Sequence, residues 1–193
     1  MLDVRFITLF DYYSRLDTLT SAFRASTGLS CTPGCGWCCE TGDPEITVFE
    51  AMPLACTIVS NPFLMERYNA YRGAGTRKPC FFHDASRDFR CTAYAIRPMM
   101  CRMFGYAGVR DKNGAVRFKT CPKMRNSARP VTVPLIPVFQ DLQLTVTSLA
   151  PSELARLLPF PDALSEAVDR ETIRRRLSSE NGDGTNCPLP VAS

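Results

Sequence analysis

Between residues 4 and 24 apolar side chains return at steps of three and four, as Val4, Ile7, Phe10, Tyr13, Leu16, Leu19 and Phe23, with charges between them. That period predicts an amphipathic helix with one face on a core. A second helical pattern runs from Glu45 to Val59 around Pro53. A third runs from Pro62 to Tyr71 and is ended by Gly73 and Gly75. In VRDKNGAVRF, Val109 to Phe118, the pair Asn113-Gly114 sits between short apolar segments and predicts a two-residue hairpin turn. Pro130, Pro134 and Pro137 then predict a stiff, extended connection into a helix at about 138–148. Pro151, Ser152, Glu153 and Leu154 open another helix, and Phe160 to Leu177 reads as a charged amphipathic one. The Gly- and Pro-containing polar end predicts a mobile tail. No internal repeat is present. The expected fold is mainly α, with a small β-hairpin and an irregular Cys-rich middle. Residues 1–129 form a helical domain, 130–178 a helical extension packed on it, and 179–193 the tail.

The irregular middle begins at CTPGCGWCCE, where Thr32-Pro33-Gly34 and Gly36 interrupt any periodic structure and predict a loop. It carries C-x3-C-x2-C-C, from Cys31, Cys35, Cys38 and Cys39, and Cys80, Cys91, Cys101 and Cys121 follow. Ten cysteines in 193 residues exceed ordinary usage without reaching the density of a small secreted disulfide scaffold. Asp3, Arg5, Asp11 and Arg15 interrupt the N-terminal region, which therefore lacks the apolar core of a signal peptide. The uncharged stretch Ala51 to Met65, unexceeded in the chain, is 15 residues long and broken by Pro53 and Pro62, too short to span a bilayer. The expected location is the cytoplasm, with no membrane partner, and closely spaced thiols in that reducing setting are more often metal ligands or redox groups than bridges.

Thiolates two or three residues apart across glycine loops can converge on one soft centre, as in zinc and iron-sulfur sites. A single histidine in the whole chain argues against the imidazole-rich ligand sets of catalytic zinc. Thiolate ligands likewise exclude magnesium and calcium as the intended occupants. Neighbouring side chains tend to point apart, so Cys38 and Cys39 are expected to face different ways, one of them toward the later cysteines. Two centres, or one centre with a spare thiol, both suit the pattern. Cys56, in an apolar stretch, reads as core packing, and Cys187 as a free thiol in the tail.

The net charge of +4 hides a strong asymmetry. From Arg67 to Arg129 there are 15 Lys and Arg against Asp84, Asp88 and Asp111, while both flanks are acidic. Arg97 and Arg102 flank the Cys101 motif, where guanidinium groups would offset the negative charge of a tetrathiolate centre and donate to sulfur. A solvated basic face is one alternative. The other is a docking site at 67–129 for an acidic protein or nucleic acid, whose binding would weaken steeply with salt.

Taken together, CTPGCGWCC, then C-x10-C-x2-Y-x2-R-P-x2-C-R through Cys80, Cys91, Tyr94, Arg97, Pro98, Cys101 and Arg102, and finally Cys121-Pro122, resemble the CxxxCxxCC cysteine-cluster family of zinc- or iron-chelating bacterial proteins. The resemblance covers roughly residues 28–124. It implies a metal ion or cluster as partner, with the eight motif cysteines as its ligands. The same module occurs in flagellin lysine N-methylases, which would imply methyl transfer from S-adenosylmethionine, although no Gly-rich strand-to-helix nucleotide loop accompanies it here. Cys31, Cys35, Trp37 and Cys38 also resemble the C-x3-C-x-aromatic-C loop of radical S-adenosylmethionine enzymes. A helix before the motif and no strand-helix alternation after it oppose that reading.

The cofactor expected is a [4Fe-4S] cluster in preference to zinc, because three close thiols, a remote one and a positive surround suit it. Tyr94 reads either as a hydrogen-bond partner of the centre or as core. Trp37 reads as a shield or as packing on the first helix, and His83 as a hydrogen-bonded or surface histidine rather than a ligand. Pro98 sets the turn into Cys101. Glu40 and Glu50 read as solvated or capping carboxylates before any acid-base role.

Overall fold

The N-terminal periodicity becomes α1, Val4–Thr27, in the computed structural model, which describes residues 4–31, 35–41, 44–75, 79–87, 90–118, 120–124 and 137–181. Its core-facing stripe is Phe6, Leu9, Tyr13, Leu16, Thr20, Phe23 and Thr27, in alternating steps of three and four. This stripe is rotated from the one expected: Tyr13, Leu16 and Phe23 belong to both, but Val4, Ile7 and Leu19 are exposed. Apolar residues occur around much of this helix, so its partners choose the face. Thr20 and Thr27 can be buried because their hydroxyls donate to Leu16 O and Phe23 O within the helix.

The Cys loop contains one regular turn, α2, Trp37–Thr41, where only loop was expected. The next segment starts as a strand, β1, Glu45–Thr47, before α3, Val48–Val59. Thr47 and Glu50 close a capping box, in which each side chain bonds the other residue's backbone N–H. Asn61 accepts from Phe63 N and Leu64 N to open α4, Pro62–Gly73, with Pro62 in the first turn, where its missing N–H costs nothing.

Four very short strands follow. β2, His83–Asp84, pairs antiparallel with β3, Arg90–Cys91, and α5, Met99–Met103, comes next. β4, Gly108–Arg110, pairs with β5, Val116–Phe118, as the hairpin pattern predicts. Its loop has three residues rather than two: Asp111 N bonds Ala115 O, Gly114 N bonds Asp111 O, and Gly114 takes φ 81°. Asp111 Oδ1 also accepts from Asn113 N and Ala115 N, which favours the longer loop.

α6, Phe139–Leu149, lies where expected. The segment at 152–154 is a single 3-10 turn rather than a helix, and it leads into β6, Leu157–Pro159, and α7, Phe160–Asn181. β6 pairs with β1 in the register Ile46 to Leu158, bringing together segments more than a hundred residues apart. The proline-rich connection at 130–136 and the tail at 182–193, Cys187 included, lie outside the described residues.

Two apolar clusters hold these elements. In one, the α1 stripe packs with Phe49, Met99, Met103, Tyr106 and Val146. In the other, α3 and α7 lie together, with Ala51, Leu54, Ala55 and Ile58 against Ala163, Leu164, Ala167 and Val168. Alanines at i and i+4 on both helices allow close approach of the backbones. No single helix among the described residues is long and apolar enough to cross a membrane; the bent pair of α3 and α4 passes only by combined length and composition.

Part of the charge asymmetry is settled within the chain. Arg72 pairs with Asp169 of α7, Arg110 with Asp141 of α6, and Arg102 with Asp17 of α1. Basic groups of the middle thus meet acidic groups of the flanks, which reduces the cationic surface left for another partner. In α7, Glu171 is buried yet accepts from Arg174 and Arg175. Burial raises its pKa, but the two guanidinium groups outweigh that and hold it below the usual glutamate value.

Candidate metal centre

The eight motif cysteines, all free thiols, come from four places in the chain. Cys31 follows α1, where its N–H donates to Tyr106 Oη at 3.1 Å, so a residue 75 positions later fixes the start of the first motif. Cys38 and Cys39 ride on α2, whose turn is closed by Cys39 N and Glu40 N on Gly36 O. Cys39 O then accepts from Cys80 N at 2.9 Å, which joins the two motifs directly. Cys80 O in turn accepts from His83 N, and His83 lies opposite Cys91 in the β2–β3 ladder, so ten intervening residues return Cys91 toward Cys80.

Cys101 stands in the middle of α5, begun by Pro98 at φ −61°. Cys121 is buried where the chain passes Gly105. A Cβ on Gly105 would stand 3.1 Å from Cys121 N and Cβ and 2.7 Å from Met124 Cε, and φ there is +79°. Only glycine meets both conditions.

The thiols act on one another in two overlapping sets. Burial first, then Cys35, Cys38 and Cys121, push the Cys31 thiol up to about 11. In the second set, the Cys38 hydrogen bond favours the Cys39 thiolate, but Cys80, burial and Cys91 outweigh it and bring Cys39 to about 12. Cys101 is raised by burial and by Cys38, Cys39 and Cys91. Cys38 is raised mainly by its hydrogen bond to Cys39 and by burial. Cys38 therefore acts in both sets. Without a cation these groups are protonated at neutral pH.

Among the described residues no group of three or more Cys, His, Asp or Glu side chains is arranged to hold a metal ion as it stands. The donor set nevertheless fits a thiolate-bound metal. Cationic Arg97 lies among these thiols, lowering Cys38, Cys91 and Cys101 against the other influences, and its buried Nε has no hydrogen-bond partner. A buried N–H donor without an acceptor, on a side chain whose charge acts on these thiols, suits a centre of metal-bound thiolates.

The two arginines of the motif are placed differently. Arg102 is 4% exposed, donates to Arg97 O, Ala95 O and Asp17, and lies 4.4 Å over the Tyr13 ring. Its donors hold the turn and α1 together. Tyr94, 60% exposed, is not core; the Arg97 guanidinium stacks on its ring at 3.8 Å. Trp37 is half-buried beside Phe104.

His83 is buried, with Nε2 4.0 Å from the Glu40 carboxylate. Glu50 is the capping carboxylate of α3, but buried rather than solvated. Cys56, also buried, is engaged in a disulfide and stands outside the free set. Sequence reasoning missed Asp17 and Tyr106, which are separated by 85 and 75 positions from the groups they hold. No local pattern announces either contact.

Residues 30–122, just under half of the chain, match the model of the CxxCxxCC family, described as "Putative zinc- or iron-chelating domain". The match contains both cysteine motifs. No curated protein and no solved structure matches the chain.

Proposed function

We propose, from the match of residues 30–122 to the model of CxxCxxCC zinc- or iron-chelating domains, that the protein is a cytoplasmic metal-binding protein whose centre is held by Cys31, Cys35, Cys38, Cys39, Cys80, Cys91, Cys101 and Cys121. One observation carries the reading: eight free thiols are drawn from separate segments, with Cys80 N bonded to Cys39 O, Cys91 returned opposite His83, and the buried Nε of Arg97 left without an acceptor among the described residues. Bound there, a metal would neutralise the thiolates and tie α1, α2, the β2–β3 turn and α5 to one point. We favour a [4Fe-4S] cluster over zinc because three close thiols, a remote one and a neighbouring cation suit it. Zinc would draw four thiolates from the same pool.

Protein purified without oxygen is expected to be brown, with a broad band near roughly 400 nm and matched iron and sulfide. Colourless protein with stoichiometric zinc would retain chelation and remove the cluster. Protein with neither metal would end the proposal.

The cytoplasmic part has its own test, because a disulfide at Cys56 belongs more naturally to an oxidising compartment. In cells quenched with acid and alkylated at once, the redox state of Cys56, read by peptide mass, decides this part, and a free thiol there would support the cytoplasm. A fully oxidised Cys56 in that sample would place the chain outside the cytoplasm.

A further inference from the structure

Resting on the chelation just proposed, we infer that Arg97, and not Arg102, is the cation of the centre, its Nε–H donating to a metal-bound sulfur of the Cys38, Cys91 and Cys101 group. The two residues carry the same charge five positions apart, and the structure separates their roles. Arg102 donates through Nε, Nη1 and Nη2 to Arg97 O, Asp17 and Ala95 O. It is committed to the protein. Among the described residues Arg97 makes one loose ion pair, Nη2 to Asp17 at 4.0 Å, and its Nε is buried with no acceptor.

Position and rigidity favour this use. Arg97 links the 3-10 turn Tyr94–Ile96 to Pro98 at the start of α5, the helix that carries Cys101. Its carbonyl is held by Arg102, and its guanidinium is flattened on Tyr94. The side chain is therefore oriented before a metal arrives. A centre of several thiolates carries excess negative charge, and an N–H···S bond draws part of it away, which strengthens metal retention and raises a cluster's reduction potential. Lysine could supply the charge but lacks the planar group that stacks on Tyr94 while Nε–H points elsewhere.

The test uses the full chain loaded with zinc(II) as probe and titrated with a competing chelator, beside Arg97→Met, Arg97→Lys and, as a distant control, Arg67→Met. Arg97→Met is expected to hold zinc about tenfold less tightly, at the lower end of outer-shell effects. Arg97→Lys should recover only part of this, and Arg67→Met should match the parent. Circular dichroism and the metal-free unfolding midpoint should be unchanged in all of them. Equal zinc retention by parent and Arg97→Met, within twofold, overturns the inference and leaves chelation standing. A parent chain that binds no zinc and purifies without iron overturns both. A loss in Arg97→Met accompanied by an equal loss of metal-free stability would make Arg97 a structural residue and also overturn it.

Discussion

Replacing Glu50 by leucine is expected to lower the free energy of unfolding by about 4 kcal/mol, since four buried donors, Thr47 Oγ1 among them, would lose their acceptor and α3 its capping box. The side chain is 2% exposed. Oε1 accepts from Tyr13 Oη of α1 at 3.1 Å and from Met99 N of α5 at 2.9 Å, while Oε2 accepts from Thr47 N at 3.1 Å. Three elements thus meet on one carboxylate. Leucine fills similar space but satisfies none of these groups, and domains of this size have only about 5–15 kcal/mol in total.

Burial raises the Glu50 pKa, and the hydrogen bonds from Met99, Thr47 and Tyr13 oppose that shift. With the folded value raised, acid does not remove this side chain's contribution; rising pH taxes it, as the carboxyl ionises in a buried place. Glu50→Gln, which keeps one oxygen but turns an NH2 toward donors, should fall between the parent and leucine. Urea unfolding of the metal-free protein measures all three. A leucine variant within 1 kcal/mol of the parent, an order-of-magnitude threshold for one hydrogen bond, would show that the carboxylate is not the junction.

Glu50 also shows where the sequence stopped being informative. Thr47-x-x-Glu50 before an apolar run is a local capping pattern, so the cap could be read from four residues. Tyr13 and Met99 lie 37 and 49 positions away, and nothing local says that they share the same carboxylate. The same division runs through the fold. α4, α6 and the β4–β5 hairpin were legible because their signals lie within a dozen residues. β1 was absorbed into the helix that follows it, because a three-residue strand is defined only by β6, far along the chain.

The ligand pool was legible as a list because cysteine spacing is conspicuous. Its internal connections were not. The joining of Cys39 to Cys80, the place of Cys121 beside Gly105 and the contrast between Arg97 and Arg102 all depend on long-range packing. Charge was legible as an asymmetry, but the pairs Arg72–Asp169 and Arg110–Asp141 that use part of it require helices whose relative positions composition cannot supply.

The largest effect expected of the centre itself is on proton balance. Burial and neighbouring thiols leave Cys31 at about 11, Cys39 at about 12 and Cys91 and Cys101 raised, so metal entering the folded chain must displace protons. Below those values each coordinating thiol releases one proton as it binds. For a four-thiolate centre, apparent affinity should therefore rise about 10⁴-fold per pH unit and fall by the same factor on acidification. The direction follows from the raised thiol values: the metal-free state binds more protons than the loaded one, so acid favours release. Zinc titrations at pH 7 in two buffers of different ionisation enthalpy should give about four protons released per metal. A value near zero would mean that the ligands are not thiols, or that these thiols were already ionised. Either result would remove the physical reason for packing so many cysteines against one another. With about four protons released, buried and mutually opposed thiols hold little charge until a cation arrives, which makes the site selective for soft metals that can displace protons from sulfur.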